Sequence, residues 1–171
     1  MKYKNISFTS IEKIPEGKDI PLEDLVDAYC LSSSIQSYCI KNKLIGAAAT
    51  QFGFPINLFV LKKQTPVDDF ETYFNCSYVH SSEQPIKSIE TCPLLIENKN
   101  FRIFEVERYK CINVVGKRLI VADRNSFDSF FALDFQEEFF SETSIVFQKM
   151  IDYKFASKKT LEKIGKEIFL S

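Results

Sequence analysis

The sequence predicts an α+β domain. Three observations carry that expectation: helical spacing over residues 21–42, a middle region of short apolar or alternating segments, and helical spacing again after residue 141. At 171 residues the chain has the length of one ordinary domain. Its 45% hydrophobic content supplies a core and excludes disorder as the dominant state. There is no internal repeat and no low-complexity segment, so residues 1–171 are read as a single domain.

The elements follow in order. Residues 1–19 read as an irregular N-terminal arm. Pro21 can open a helix, because the first turn does not need its missing N–H. Leu22, Leu25, Val26, Tyr29, Ile35, Tyr38 and Cys39 then recur at helical spacing, with a kink expected at Ser32–Ser34. Asn57–Lys62 is short, apolar and bounded by prolines, as a buried strand is, and Thr72–Val79 alternates. The stretch 85–100 holds two prolines and little periodicity, which predicts a loop with at most a short strand. Phe101–Val114 alternates for most of its length and reads as one half-buried strand. Gly116-Lys117 reads as a hairpin turn into a strand over 118–122, and Asp128–Phe135 as a further strand. Ser141 or Ser144 is expected to cap a helix over Ile145–Phe155 that aligns Val146, Met150 and Tyr153. Ser157 is expected to cap a C-terminal helix over 157–171 carrying Leu161, Ile164 and Ile168.

Composition excludes several classes of function. With 22 Lys+Arg against 23 Asp+Glu, the net charge of −1 argues against a sequence-blind nucleic-acid binder. The basic residues near the C-terminus, Lys158, Lys159, Lys163 and Lys166, are balanced by Glu162 and Glu167 and read as a solvated face. The cysteines (Cys30, Cys39, Cys76, Cys92, Cys111) are odd in number and show no C-x-x-C spacing, so reduced thiols are expected. The N-terminal stretch lacks the apolar core of a signal peptide, and no run is long enough to span a membrane. A cytoplasmic location and no membrane partner are the expectation.

Three segments then point to a family. Residues 45–51 (IGAAATQ) resemble the motif G-x-G-L-A-A-x-Q, residues 90–94 (ETCPL) resemble E-G-C-L-S, and residues 148–153 (QKMIDY) fall where Q-H-E-x-D-H would stand. In that order and at those separations they resemble the peptide deformylases, over about residues 20–160. The resemblance implies antiparallel sheets packed around a central helix. It also implies, for the family, removal of the formyl group from an N-terminal methionine. There a cysteine and two histidines hold a divalent metal, and a glutamate moves the proton. The glutamine side chain and the N–H after the cysteine polarise the carbonyl.

Set against those roles, this sequence keeps Gln51 and Cys92 and loses the rest. Lys149 and Tyr153 replace the two histidines. An ammonium has no lone pair, a neutral phenol is a poor ligand, and such a metal site needs about three protein ligands. Met150 replaces the glutamate and cannot carry a proton. Pro93 follows Cys92 and has no N–H; loss of a carbonyl-polarising donor alone typically costs about 10²–10³ in rate. Leu44 and Ala47 also depart from the first motif, which puts the geometry near Gly46 in question. Gly46, Gln51, Glu90, Cys92, Pro93, Lys149, Met150, Asp152 and Tyr153 are therefore read as a degenerate site, with no catalytic residue, no metal and no cofactor expected.

Local alternatives stay open at this point. Lys149 replaces the metal's charge and pairs with Cys92 or Glu90, or else it reaches solvent beside an inert buried thiol. His80, the sole histidine, would be the base of a cysteine enzyme, or a metal ligand with Cys76 and Cys92, or neither. Gln51 cradles a peptide, or only satisfies nearby backbone.

The run Phe127, Phe130, Phe131, Phe135, Phe139 and Phe140 is richer in aromatics than one strand needs. Exposure of Phe135, Phe139 and Phe140 would mark a partner surface. The function expected is that of a deformylase-like pseudoenzyme serving as an interaction or structural component of a larger assembly, with other proteins as partners. Scarce glycine (5) and abundant phenylalanine (17) suggest an AT-rich source, and a phage protein in the host cytoplasm or virion fits. The rivals are a non-catalytic binder of N-terminal formyl-methionyl peptides near the ribosome and a weakly active hydrolase.

Overall fold

The computed structural model describes residues 3, 5–63, 69–81, 84–97, 100–121, 130–155, 162–163 and 165–168. Helix α1 (Leu25–Asn42) follows a 3-10 turn at Leu22–Asp24 and runs unbroken through Ser32–Ser34, so the expected kink is absent. It ends at Lys43, in left-handed conformation at φ 55°, whose N–H caps the carbonyls of Cys39 and Ile40. Strands β1 (Gly46–Ala48), β2 (Leu58–Lys62) and β3 (Phe70–His80) then form antiparallel ladders with a 3-10 turn, Ala49–Phe52, between the first two. Strands β4 (Ile86–Glu97), β5 (Asn100–Arg108), β6 (Cys111–Val121) and β7 (Phe130–Phe140) precede helix α2 (Ser141–Asp152). A 3-10 turn at Tyr153–Phe155 prolongs α2, and β8 (Gly165–Ile168) is the last described element.

Among the described residues the strands form two antiparallel sheets. One has five strands in the order β1-β2-β3-β6-β7, the other three in the order β4-β5-β8. Helix α2 lies between them, and Phe147, Met150 and Ile151 join Phe59 and Val114 of the first sheet and Phe104 and Val106 of the second in one core. Helix α1 covers the opposite face of the five-stranded sheet, burying Leu31 and Ile35 against Val60 and Phe74. The N-terminal arm is irregular apart from the 3-10 turn Ile11–Lys13, and it packs Ile6 and Phe8 on this second core.

Several expectations need correction. The stretch 85–100 is not a loop: Ile86–Glu97 is a long strand, paired with β5 except where four of its residues, 92–95, lie opposite one. Pro93 sits in that bulge, where a missing N–H breaks no ladder. Phe101–Val114 is two strands of different sheets, because the chain leaves β5 at Arg108 and enters β6 at Cys111. Gly116-Lys117 makes no turn. Gly116 lies inside β6, where a Cβ would run into Cys76 at the bulge of β3.

The helix starts earlier than expected, at Ser141, with no side-chain cap at its N-terminus. Ser144 donates instead to the Phe139 carbonyl. The C-terminal helix over 157–171 is not what is found at 165–168, which form β8 on the outer side of β5. There Glu167 meets Arg102 through two hydrogen bonds of 2.9 and 2.8 Å. The proposed cap Ser157, with Leu161 and Ile164, lies outside the described residues, as does Phe127.

Candidate functional site

The sheets leave a seam beside α2, and the residues of the three motifs meet there. Gly46 is required where β1 pairs with β2: a Cβ would stand 2.6 Å from the Val60 carbonyl oxygen. That close approach lets the chain turn at once into Ala49–Phe52. Gln51 is buried at the end of this turn, its Oε1 accepting the Ala48 N–H at 2.9 Å and its Nε2 directed at the Cys92 sulfur at 3.8 Å. Gln51 thus satisfies nearby backbone, as one of its two expected roles requires, and the same side chain reaches Cys92.

Cys92 is fully buried, with 0% exposure. Tyr153 lies against it, its hydroxyl bonded to the Cys92 sulfur and 3.5 Å from the Thr91 carbonyl oxygen. Burial raises the Tyr153 hydroxyl well above its ordinary value, and Cys92 and Glu90 add to the rise, so it is a neutral phenol. Lys149, one turn earlier on α2, donates to the same Thr91 carbonyl at 2.9 Å and lies 5.8 Å from the centre of the Tyr153 ring. Burial lowers its ammonium below the usual range, while Glu90 and Cys92 partly offset that. The pairing of Lys149 with Glu90 does not form. Its hydrogen bond goes to the carbonyl of Thr91, the last paired residue before the bulge.

Glu90 is engaged elsewhere. Its two carboxylate oxygens accept from Arg108 at 2.6 and 2.9 Å, and Arg108 also bonds Asp152, which receives the Tyr78 hydroxyl at 3.0 Å. Burial opposes the charge on Arg108, but the two carboxylates outweigh it and hold the guanidinium above its ordinary value. Burial likewise raises Asp152, against the pull of Arg108. Gln148 grips the backbone of Tyr109 from both sides, accepting its N–H at 3.0 Å and donating to its carbonyl at 2.7 Å. Sequence reasoning assigned no role to Arg108, Tyr78 or Gln148. The chemistry that could have found Arg108 is the rule that a carboxylate buried in a core needs a cation.

Beside these residues lies a cavity of about 280 Å³. Leu44, Ile45 and Gly46 wall one side and Ser88–Thr91 the other, with Ile145, Val146, Lys149 and Met150 as the α2 side. Among the described residues β1 and β4 are each the terminal strand of their sheet, so two edge strands border one hollow, the Ala48 N–H of β1 being held by Gln51.

No protein-family model and no curated protein matches the sequence. Solved structures do. The peptide deformylase of Thermotoga maritima superposes with a TM-score of 0.67 over 87% of this chain and 90% of that one, at 16% identity. A probable peptide deformylase from synechococcus phage S-SSM7 gives 0.70 over 88% and 94%, at 17% identity. That of Plasmodium falciparum gives 0.62 over 93% and 91%, at 15%. The chain has the peptide deformylase fold.

The metal that the resemblance implies can be tested against this deformylase fold by donor chemistry. The three positions hold a thiol, an ammonium bonded to a carbonyl and a neutral phenol, and the proton-carrying position holds the buried thioether of Met150. These residues do not fit a divalent cation. His80 stands outside the seam, stacked on Tyr109 with ring centroids 3.9 Å apart, and Cys76 is buried in the core. Burial pushes the Cys76 thiol up to about 12.

The aromatic patch also needs correction. Phe135 and Phe139 are half-buried, turned toward Tyr73 and Phe147 at centroid distances of 5.6 and 4.3 Å, because odd-numbered residues of β7 face α2. Phe140 alone of the three is exposed, at 61%.

Proposed function

We propose that this chain is a non-catalytic protein of the deformylase fold that captures an extended N-terminal peptide in the hollow between β1 and β4. The observation that carries the reading is that, among the described residues, two edge strands face each other across a cavity of about 280 Å³. An extended peptide can add to a free edge through its backbone and place one side chain in the cavity, a mode that needs no metal. Ile45, Leu61, Ile145, Val146 and Met150 suit an unbranched apolar side chain such as methionine. Gln51 at the inner end offers an amide to a blocked amino terminus.

Turnover is not expected. Lys149 brings charge but no bound water to activate, Met150 moves no proton, and Pro93 offers no N–H to a carbonyl. A role as one part of a larger assembly is consistent with this loss, and the phage protein of the same fold supports a phage source.

The test is titration of the protein with formyl-Met-Ala-Ser by calorimetry, with and without a chelator, while formate is assayed. The expected result is saturable binding that the chelator does not change, with formate at background. No binding at millimolar peptide, or formate released in proportion to protein, overturns the reading.

A further inference from the structure

The opposite end of the five-stranded sheet carries a second feature, independent of the cleft. Strand β7 has β6 on one side and, among the described residues, no strand on the other. It pairs with β6 without a register shift from Cys111↔Phe140 to Val121↔Phe130. At about 3.4 Å per residue its free edge extends roughly 35 Å. Edges of that length are usually blunted by proline, a bulge or charged side chains, lysine above all; β7 has no proline, bulge or lysine, and its only charges are the acids Asp134, Glu137 and Glu138. Three of its apolar side chains are exposed, Phe131 at 44%, Leu133 at 45% and Phe140 at 61%, while Phe135 and Phe139 are half-buried against Tyr73 and Phe147.

We propose that β7 is a dimer edge, pairing antiparallel with β7 of a second copy about a two-fold axis at Phe135. Self-complementarity of the strand selects this occupant. With Phe135 on the axis, Phe131 stands opposite the partner's Phe139, Ala132 opposite Glu138, Leu133 opposite Glu137, and Asp134 opposite Gln136. All three acids of the strand thus face neutral residues, although the strand has no base of its own. Two of these acids are already neutralised within their own sheet, Asp134 by Lys117 and Glu137 by Arg118. The symmetry is that of the commonest closed assembly, a two-fold dimer with one self-matching patch. It joins two five-stranded sheets into one and leaves both clefts open at the far edges.

Sedimentation equilibrium of the full chain from 1 to 100 µM tests this, with circular dichroism and thermal melts to confirm folding. The expected mass is twice the 19.8 kDa of one chain. Leu133→Glu sets a carboxylate against the partner's Glu137 twice per dimer and is expected to raise the dissociation constant at least tenfold. Leu133→Lys sets an ammonium there and is expected to keep the dimer. Leu133 is exposed in the single chain, so the fold should survive either change. A wild-type monomer at 100 µM, a dimer indifferent to Leu133→Glu, or a dimer broken equally by Leu133→Lys overturns the proposal.

Discussion

The Lys149 ammonium donates a 2.9 Å hydrogen bond to the carbonyl of Thr91, the residue before Cys92 in the bulge of β4. The bulge and the lysine explain each other. With Pro93 in the strand the ladder to β5 is interrupted after Thr91 and resumes at Ile96, and the Thr91 carbonyl faces α2. A buried carbonyl needs a donor, and a lysine one turn before Tyr153 supplies it. Positive charge therefore sits where the two sheets meet, fixed by a covalent side chain.

That charge has a pH signature. Burial lowers the Lys149 pKa, so the folded protein gives up this proton at lower pH than the unfolded chain does. In the alkaline window below 10.5 the unfolded state then holds more protons, and the stability contributed by this group rises with pH. Lys149→Met removes the buried charge together with the donor to the Thr91 carbonyl, so the sign of its effect at pH 7 is not the test; the pH trend is. Relative to the wild type, the variant should lose stability as the pH is raised toward 10.5, because the wild type alone gains there. Urea melts of both proteins at neutral and at alkaline pH measure it, and a difference that moves in the variant's favour with rising pH would contradict the assignment.

Restoring the donors should restore a metal site. Lys149→His with Tyr153→His places two imidazoles four residues apart beside Cys92, giving three protein ligands and an open position. Cobalt titration of the double variant should show sulfur-to-metal absorption at one equivalent, with no such band in the wild type. Formate release should stay at background, since Met150 still carries no proton. An equal cobalt spectrum from the unmodified chain would refute the donor argument.

The buried ion cluster should be unforgiving of single changes. Arg108→Met leaves the Glu90 carboxylate, 4% exposed, without its cation and should cost about 3–5 kcal/mol. Glu90→Gln keeps the volume and part of the hydrogen bonding and should cost less. The double variant Arg108→Met, Glu90→Met should cost less than the sum of its singles, because no uncompensated charge is left between that pair. Denaturant midpoints at constant slope decide, and strict additivity would show that the pair is not coupled.

How much of this was legible beforehand depended on range. Helix α1, β2 and β3 announce themselves through spacing within a dozen residues, and the motif around Gly46 and Gln51 through a short string. Strand β4 did not, because Pro85 just before it and Pro93 within it read locally as breakers, while Pro93 fits only through the bulge against β5. The β5–β6 join at Tyr109-Lys110 carries no glycine or proline, so only partners elsewhere in the chain reveal that one alternating run serves two sheets. Strand β8 shows period-3.6 spacing and yet pairs with β5, a tertiary contact overriding local pattern. At the site, Cys92, Lys149 and Tyr153 were recognisable by position. Their common link, the Thr91 carbonyl, is a backbone group that no side-chain motif encodes.

Thiol reactivity should follow burial. The Cys39 thiol is pushed up to about 12 by burial, as Cys76 is, and Cys92 is closed to solvent. Only the thiolate reacts with an alkylating reagent. Iodoacetamide at pH 8 should therefore mark Cys30, half-buried on α1, well before Cys39, Cys76 or Cys92, and all should react in urea. Peptide mass mapping after timed quenching reads the order. Early labelling of Cys92 in the native protein would mean that the seam opens.

Gly116 gives the sharpest test of the corrected topology. As a hairpin residue it would have been replaceable by asparagine or aspartate, which tolerate turn conformations. In the middle of β6 it is instead the residue over which Cys76 packs, where β3 bulges between Phe74 and Ser77. That bulge puts Asn75 in left-handed conformation at φ 55°, its side chain tied to Ile20 by bonds of 2.7 and 2.8 Å. The backbone of β3 is thus fixed from the other side and cannot yield to an added methyl group. Gly116→Ala should cost about 1–3 kcal/mol by overpacking, although alanine suits a strand better than glycine does. Cys76→Ala, which removes the sulfur on which the new Cβ would press, should recover part of that loss in the double variant. Recovery in denaturant melts is the decisive sign, because a turn glycine would show no coupling to Cys76 at all.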